Sequence, residues 1–285
     1  MKVRLAEASQ RVFRFAPSPN GRLHLGHAYS ALLNFEFAQS CGGRFLVRIE
    51  DIDLGRARPE FEAAIYEDLA WLGIDWERPA RRQSEHYGDY LAALERLDAL
   101  GLLYPCVCTR ADIARAAPPD GPRDPDGAPL YPGTCRDKPR SPLRETLRSA
   151  GVALRLDMAR ARERLVLDWT EFGVGAVAAR PEAWGDVVLG RKDVPASYHL
   201  AVVVDDAIQG VTDVVRGRDL YHATSVHRLL QHLLGLPRPD YRHHALVLGP
   251  GGEKLAKSRG SASLRDLREA GVTPAEARAM IGALL

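Results

Sequence analysis

The sequence has little net charge, no long apolar run and no recognisable leader. Its 39 lysines and arginines nearly balance 37 acidic residues, and a formal charge of +2 is too small by itself to indicate a nucleic-acid partner. No apolar segment approaches the length that spans a membrane, and the opening Met1-Lys-Val-Arg lacks the apolar core of a signal peptide. We therefore expect a cytoplasmic protein that does not bind a membrane.

Cysteine is also scarce, with four residues in 285, and three of these lie close together in the sequence. This number and spacing fit a metal site in a reducing compartment better than a disulfide scaffold. The fourth, Cys41, is expected to be a buried structural residue. An apolar content of 46% is typical of a globular protein, and the length allows one large domain or two.

The opening stretch predicts a strand, a turn and the first turn of a helix. Residues 12–16 are β-prone, the prolines and glycine that follow break the chain, and apolar residues from Leu25 onwards have helical spacing. His24 and His27 then share one face at a helix N-terminus, where free N–H groups suit phosphate. Gly26 leaves room for a flat ring. This pattern predicts a nucleotide site, although two surface histidines after a turn would look the same.

A second predicted strand, over residues 44–50, ends in the acids Glu50, Asp51 and Asp53. Functional side chains of open α/β sheets gather at the carboxyl ends of strands, so these acids could face the same crevice as the histidines. A solvated acidic turn is the alternative. Helices are predicted over residues 59–72 and 86–100.

A loop poor in apolar residues separates Cys106 and Cys108 from Cys135, and such a loop needs something to hold it. Three thiols and the phenol of Tyr131 could form a tetrahedral zinc site. Tyrosine is an unusual zinc ligand, so a nearby histidine or Asp137 could replace it. Alternatively, the first two cysteines are core residues of a strand.

The second half of the chain returns to α/β patterning. Short strands are expected over residues 152–157, 164–168 and 185–189. The apolar run over 198–206 and the run over 211–215 are predicted as buried strands of a parallel sheet, followed by a helix over 224–234. Five histidines share no ligand spacing and are expected to be surface or satisfied residues: His222, His227, His232, His243 and His244.

A glycine-flanked loop near the end carries Lys254 and Lys257, and two helices follow over residues 263–270 and 273–284. Flexible cations of this kind could close over a triphosphate and follow the charge of a leaving pyrophosphate. Together the elements predict one βαβ system that is split by an insertion.

The motifs His24-Leu-Gly-His27 and Lys254-Leu-Ala-Lys-Ser258, on opposite halves of a split α/β domain, resemble the two signatures of class I aminoacyl-tRNA synthetases. The wider match is to the glutamyl branch of that family and covers residues 11–260. It is carried by the stretches at 14–21, 48–53, 198–200 and 215–220. Ala256 stands where serine is usual and His227 where glutamine is common, but both lysines are retained.

The resemblance implies an α/β fold with a Rossmann-type doubly wound parallel sheet, split by a zinc-containing insertion. The implied parts are residues 1–101, the first half of the catalytic domain; 102–195, the insertion; 196–240, the second half; and 241–285, the lysine loop and a short helical region. It also implies one structural zinc ion, which resolves the ligand question in favour of Tyr131: Cys106, Cys108, Tyr131 and Cys135.

The resemblance further implies binding of ATP with Mg²⁺ and activation of L-glutamate. The ATP-binding residues carried over are His24, Gly26, His27 and Lys257, and the catalytic residues are His24, His27, Lys254 and Lys257. The glutamate-binding residues carried over are Arg14, Phe15, Ala16, Pro17, Ser18, Glu50, Tyr198 and Arg216. In this assignment Glu50 takes the ammonium group, and Arg216 pairs with a carboxylate and so helps to reject glutamine.

The acceptor follows from what comes after Ser258, where we expect no room for an anticodon-reading domain. A short glutamyl core with a Cys-x-Cys and Tyr-x-x-x-Cys insertion resembles the tRNA-modifying members of the branch. This implies a monomer that transfers glutamate to queuosine in the anticodon of tRNA(Asp). The alternatives are a shortened glutamyl-tRNA synthetase that charges a 3′ end, an inactive tRNA-binding module and, more remotely, a small-molecule adenylyltransferase.

Overall fold

The computed structural model describes residues 10–139, 142–194, 196–248 and 262–283. The lysines predicted to act in catalysis, Lys254 and Lys257, therefore lie outside the described residues. The chain divides into two compact units. The first is drawn from Met1–Arg82, Gly210–Arg218 and Tyr241–Leu285, and the second from Gln83–Gln209 and Asp219–Asp240. The four-part division expected from the sequence stays a prediction.

The described residues contain ten strands and ten helices. The strands are β1 (Val12–Phe15), β2 (Arg44–Ile49), β3 (Glu77–Arg82), β4 (Leu103–Cys106), β5 (Ala153–Leu156), β6 (Asp168–Glu171), β7 (Gly175–Ala178), β8 (Val188–Gly190), β9 (Asp213–Gly217) and β10 (Asp240–His244). The helices are α1 (Leu25–Ser40), α2 (Pro59–Trp71), α3 (Tyr87–Ala99), α4 (Arg110–Ala116), α5 (Leu143–Arg148), α6 (Met158–Ala161), α7 (Tyr198–Ile208), α8 (Thr224–Leu233), α9 (Leu264–Glu269) and α10 (Pro274–Ala283). Among these helices, none is long and apolar enough to cross a membrane.

The first unit is built on a sheet with the strand order β3-β2-β1-β9-β10. The pairs β3·β2, β2·β1 and β1·β9 are parallel, and Phe13 of β1 lies opposite Phe45 of β2 and Asp213 of β9. Helix α1 packs against β1, β2 and β9, as well as α10. The expected α/β fold with a mostly parallel sheet is confirmed.

The second unit contains the three-stranded antiparallel sheet β4-β5-β8 and the antiparallel hairpin β6–β7. Helix α7 packs against α3 and α8 within this unit. The predicted helices over residues 86–100 and 224–234 are confirmed as α3 and α8, each within a residue of the expected ends.

One predicted element is wrong. The apolar run over residues 198–206 was expected to be a buried strand, but it forms helix α7. Every residue from Leu200 to Asp206 is buried, so the helix has no polar face to reveal its period. A short apolar run that is buried on all sides cannot be assigned from periodicity alone, because a strand and a helix give the same sequence signal.

Two smaller expectations also fail. Cys41 is exposed instead of buried, because it ends α1, where its thiol donates to the carbonyl of Phe37 at 3.1 Å. The strand expected over residues 164–168 is a turn in which Arg164 has a positive φ of 58°, and β6 begins only at Asp168. The apolar residues that follow did not outweigh this local left-handed backbone.

Candidate functional site

The two histidines of the opening motif cap helix α1. His24 is the N-cap residue, with extended backbone, and its Nδ1 accepts the N–H of Gly26 at 3.1 Å. The N–H of His24 in turn donates to Nδ1 of His27 at 3.2 Å, and the two ring centroids are 3.8 Å apart. Because each Nδ1 accepts a hydrogen bond, each neutral ring carries its proton on Nε2. The helix start thus presents two Nε2–H donors beside the positive end of the helix dipole.

Gly26 makes this arrangement possible. A Cβ at this position would lie 3.1 Å from Cε1 and 3.2 Å from Nδ1 of His24, closer than side-chain carbons normally approach. The flat ring that packs over this glycine is therefore the imidazole of His24 itself. A residue with a Cβ at this position would require the His24 ring to shift by a few tenths of an ångström.

The segment from Arg14 to Ser18 leaves the carboxyl end of β1, with Arg14, Phe15 and Pro17 buried and Ser18 exposed. The N–H of Glu50, just beyond β2, donates to the carbonyl of Pro17 at 3.0 Å. The acidic turn is thereby fastened to the opening motif, as the parallel pairing of β1 and β2 requires.

Glu50 is also held by its side chain. Oε1 of Glu50 lies 3.1 Å from Nη2 of Arg48, whose side chain is completely buried, and the Glu50 side chain is only 9% exposed. Asp51 is buried as well. The acids after β2 are therefore structured groups at a strand end rather than a solvated turn.

Arg216 lies near the carboxyl end of β9, the other neighbour of β1. The pairing of Phe13 with Asp213 places Arg216 level with the residue that follows β1. Its guanidinium Nε donates to Nε2 of His243 at 3.1 Å, and its Cζ lies 5.4 Å from the ring centroid of Tyr241. The ends of three adjacent strands thus carry Arg14, Glu50 and Arg216.

Tyr198, the remaining predicted glutamate contact, begins α7 in the second unit, directly after Ser197. Its ring packs against His227, at a centroid distance of 5.6 Å, and Nε2 of His227 lies 3.2 Å from Nδ1 of His199. His227 is buried with a hydrogen-bond partner, which agrees with the expectation that it is a satisfied residue.

A connection that the sequence did not reveal joins the opening motif to the last helices. His24 pairs with Ser263 in an antiparallel bridge, and the N–H of Leu264 donates to the carbonyl of Leu23 at 2.8 Å. Ser263 caps α9 by accepting from the N–H of Asp266. The start of α9 is thereby attached to the start of α1.

The three clustered cysteines and Tyr131 meet in the second unit. Tyr131 Oη lies 3.4 Å from Sγ of Cys106 and 3.8 Å from Sγ of Cys108, and the sulfurs of Cys108 and Cys135 are 3.6 Å apart. All three sulfurs lie within 4.8 Å of one another. These sulfurs could hold a metal ion.

The chemistry of the cluster suits a cation. Burial alone raises the pKa of the Cys135 thiol, but hydrogen bonds with Tyr131 and the Val107 backbone outweigh it and lower that pKa to about 6. Burial, together with hydrogen bonding to Cys106, raises the pKa of Tyr131, so the phenol stays protonated when no cation is bound. The lowered pKa of Cys135 favours the thiolate, which is the form that binds metals.

Asp186 is a structural residue beside the cysteine cluster that sequence reasoning missed. Its buried carboxylate accepts from Nη2 of Arg136 at 2.6 Å, from the N–H of Met158 at 3.0 Å and from the hydroxyl of Tyr104. Arg136 directly follows Cys135, so this carboxylate anchors the cysteine loop to the sheet β4-β5-β8. No local pattern marks Asp186, because its partners are distant in sequence.

The family described as "tRNA synthetases class I (E and Q), catalytic domain" matches residues 11–284. The chain belongs to this family. Members of this class I family are ATP-dependent ligases whose substrates are ATP, an amino acid and a tRNA, and the expectation of an enzyme of this class is confirmed.

Relatives and solved structures agree with this assignment. The chain is 49% identical over 278 residues to a glutamyl-Q tRNA(Asp) synthetase of Rhodobacter capsulatus, covering 95% of this chain and 99% of the relative. It is 44% identical to one of Symbiobacterium thermophilum, covering 92% and 82%. The crystal structure of a glutamate-tRNA synthetase from Elizabethkingia anophelis is similar, with a TM-score of 0.71 and 28% identity over 92% of this chain. This chain spans 54% of that structure.

Proposed function

We propose that this class I synthetase activates L-glutamate with ATP and transfers the glutamyl group to queuosine in the anticodon of tRNA(Asp). The observation that carries the proposal is the alignment with relatives named glutamyl-Q tRNA(Asp) synthetase, one of which is matched over 99% of its length at 49% identity. The partners proposed are ATP, L-glutamate and tRNA(Asp) bearing queuosine, and the active form is a monomer.

In the first step, an oxygen of the glutamate α-carboxylate attacks the α-phosphorus of ATP in line with the leaving group. The new P–O bond gives glutamyl-adenylate, and the bond to the β-phosphate breaks to release pyrophosphate. The protein contributes mainly position and charge to such a reaction. His24 and His27 donate from Nε2 to phosphate oxygens at the start of α1, where the helix dipole also favours an anion.

Lys254 and Lys257 are assigned to the leaving pyrophosphate by their motif, since they lie outside the described residues. Mg²⁺ accompanies the ATP as it does for phosphoryl donors in general. The attachment of Ser263 and Leu264 to the opening motif supports this role, because the chain returns to the helix start shortly after the two lysines.

Glutamate brings two carboxylates and one ammonium group, so its pocket needs both signs of charge. Arg14, Glu50 and Arg216 at three adjacent strand ends supply two cations and one acid. Glu50 takes the ammonium group, Arg216 takes a carboxylate, and the segment Arg14–Ser18 lines the remainder. Tyr198 donates a hydrogen bond to the substrate, a role assigned by its motif alone.

We propose zinc as the ion for the cysteine cluster. Ligands around tetrahedral zinc, at about 2.3 Å for sulfur and about 2.0 Å for oxygen, lie about 3.8 Å apart for two sulfurs and about 3.5 Å for sulfur and oxygen. The distances between Cys106, Cys108, Tyr131 and Cys135 range from 3.4 to 3.8 Å where they are known. The ligand set fits zinc, which would brace the loop between these residues.

In the second step, a hydroxyl of the queuosine cyclopentenediol attacks the carbonyl carbon of the adenylate. The ester bond forms, AMP leaves, and the proton passes to the adenylate phosphate. A second candidate acceptor is the 3′ end of a tRNA, which the likeness to a glutamate-tRNA synthetase structure favours.

An experiment with labelled glutamate separates the two acceptors. The chain is incubated with labelled glutamate, ATP and tRNA(Asp) that contains queuosine, and the anticodon loop is then excised with a nuclease. We expect the label in the loop fragment and none when the tRNA lacks queuosine. Label on the 3′ adenosine would overturn the proposed acceptor, and the absence of glutamate-dependent ATP–pyrophosphate exchange would overturn activation itself.

A further inference from the structure

Arg216 is held by two side chains of the neighbouring strand β10. Tyr241 and His243 alternate on this strand and so share one face, with nearly parallel rings at an interplanar angle of 2° and a centroid distance of 6.0 Å. His243 accepts from Nε of Arg216 at 3.1 Å, while Cζ of Arg216 lies 5.4 Å from the centroid of Tyr241. Arg216 and Tyr241 are buried, with exposures of 5% and 2%.

The bond between Arg216 and His243 restrains the orientation of the guanidinium. An imidazole that accepts at Nε2 is neutral and carries its proton on Nδ1, so it adds no positive charge beside Arg216. A guanidinium is planar, and a hydrogen bond at Nε fixes the rotation of that plane. The directions of Nη1 and Nη2 are then fixed as well, which is the requirement for holding both oxygens of a carboxylate at once.

Tyr241 restrains the same group in another way. A cation near an aromatic ring is attracted to it, and this attraction is stronger where water is excluded. The ring therefore limits movement of the guanidinium, and the hydrogen bond from Nε limits its rotation. Two residues of one strand thus orient the cation assigned to glutamate.

We propose that His243 is a positioning residue that sets the affinity for glutamate and its selection over glutamine. This inference rests on the proposed function, in which Arg216 grips a carboxylate of glutamate. A carboxylate accepts two hydrogen bonds from an aligned guanidinium, whereas the amide of glutamine offers one acceptor oxygen and places N–H donors against the cation. Loss of alignment weakens the binding of glutamate more than that of glutamine, and so lowers selectivity.

The test compares two substitutions that differ by one methylene. In His243→Gln the side-chain oxygen reaches about as far as Nε2 and can accept from Arg216, whereas in His243→Asn it is too short. Glutamate-dependent ATP–pyrophosphate exchange gives kcat and the KM values for glutamate and ATP. We expect His243→Asn to raise KM for glutamate at least about tenfold, with KM for ATP changed less than about twofold. His243→Gln should stay within about threefold of the unaltered chain.

The controls separate this role from a general loss of structure. His232→Asn replaces an exposed histidine at the end of α8 and should leave every constant unchanged. Arg216→Lys removes the Nε donor that His243 accepts from. Adding His243→Asn to Arg216→Lys should therefore cause no further loss of glutamate affinity beyond that of Arg216→Lys alone. The glutamate-to-glutamine ratio of kcat/KM should fall in His243→Asn and recover in His243→Gln.

Three results overturn the assignment: unchanged KM for glutamate in both variants, equal impairment of both, or additive losses in the double variant. If His243→Asn fails to fold, as judged by thermal melting, the test rests on His243→Gln. This variant must retain both glutamate affinity and selectivity, and the loss of either would overturn the assignment. Exchange that is absent in the unaltered chain would overturn the proposed function and this assignment with it. If exchange is present but its KM for glutamate does not change when residue 243 is substituted, only the assignment of His243 is overturned.

Discussion

At the scale of single residues, the helix start depends on a glycine. His24 folds back over Gly26 to accept its N–H, and the adjacent ring of His27, tilted by 39° to the His24 ring, accepts the N–H of His24. Two imidazoles thereby satisfy backbone donors that an ordinary cap would satisfy with serine or aspartate. The same bonds fix the tautomer of each ring. Capping and the proposed phosphate contact are consequently performed by different nitrogens of the same side chains.

Gly26→Ala is expected to lower glutamate-dependent ATP–pyrophosphate exchange at least about tenfold. The added carbon would lie 3.1 Å from Cε1 of His24, so the ring would have to shift by a few tenths of an ångström from the position in which its Nδ1 accepts the N–H of Gly26. Gly88→Ala is the matched control, since a Cβ there meets nothing within 4 Å in helix α3. The control should keep full activity and gain up to about 1 kcal/mol in unfolding free energy. Full exchange activity in Gly26→Ala would contradict the proposed role of the motif.

Asp68 is a second residue whose environment has a measurable consequence. It is fully buried in α2, neither of its carboxylate oxygens accepts a hydrogen bond from a residue that the structure describes, and Nη2 of Arg268 lies 3.4 Å from Oδ1. Burial raises its pKa to about 6, although the positive charge of Arg268 opposes this. In the unfolded chain an aspartate ionises near pH 4, at about 3.9. The native state therefore binds a proton between about pH 4 and 6 that the unfolded state does not.

Stability should consequently fall as the pH rises from about 4 to 6. Asp68→Asn removes this titration. As the pH rises from about 4 to 6, the free energy of unfolding of the variant should therefore increase relative to that of the unaltered chain, by up to about 3 kcal/mol. Urea denaturation at a series of pH values measures the difference. Glu60→Gln, which removes an exposed carboxylate from the same helix, is the control substitution. A curve for Asp68→Asn that is parallel to that of the unaltered chain would refute the burial argument.

At the scale of elements, the loop between Cys108 and Cys135 is organised from two sides. The cysteines and Tyr131 gather at the end of β4, and Asp186 fastens Arg136, beside Cys135, to the segment that follows β5. Arg155 of β5 lies over the ring of Tyr131, with its Cζ 3.9 Å from the ring centroid. A loop with little apolar content is thus held by polar contacts and, in our proposal, by zinc.

Cys106→Ser should reduce bound zinc from about one ion per chain to nearly none, because one of three thiolates is lost from a four-ligand site. Metal content by inductively coupled plasma mass spectrometry is the measurement. Cys41→Ser removes a thiol far from the cluster in sequence, at the end of α1, and should retain the full content. An unchanged zinc content in Cys106→Ser would contradict the assignment of Cys106 as a ligand.

At the scale of the whole molecule, the first unit is assembled from segments about 200 residues apart. The N–H of Val12 in β1 donates to Oγ1 of Thr212 at 2.8 Å, and Arg11 pairs with Asp213 of β9. Asn34 of α1 donates to the carbonyl of Val215 at 3.0 Å, next to Arg216. Arg216, which we propose to bind a carboxylate of glutamate, is therefore positioned by contacts between the two distant segments of this unit.

Asn34→Ala should lower the free energy of unfolding by about 2 kcal/mol, since it removes a buried donor and leaves a small cavity. Its Nδ2 also donates to Ser30 within α1, at 2.8 Å. The control is Ser40→Ala, which removes an exposed hydrogen bond at the end of the same helix and should cost less than about 0.5 kcal/mol. Equal stability of the two variants in urea would contradict the importance of this link.

The sequence by itself determined the local features. Prolines and a glycine after an apolar strand, with helical spacing from Leu25, were sufficient to place His24 and His27 at a helix start. The spacing of three cysteines around a polar loop favoured a shared metal site, and only the resemblance to the glutamyl branch selected Tyr131 as the fourth ligand. The helix start depends on neighbours a few residues apart, so residue propensity and hydrophobic period predict it, and the cysteine spacing is a pattern typical of a metal site.

Only the tertiary structure decided the rest. It made the run at 198–206 a helix, because burial on all sides erases the period that separates helices from strands. It also placed His243 beside Arg216, and Asp186 behind the cysteine loop. Each of these contacts joins residues that are remote in sequence, and their pairing is set by strand order and packing, which no local pattern encodes.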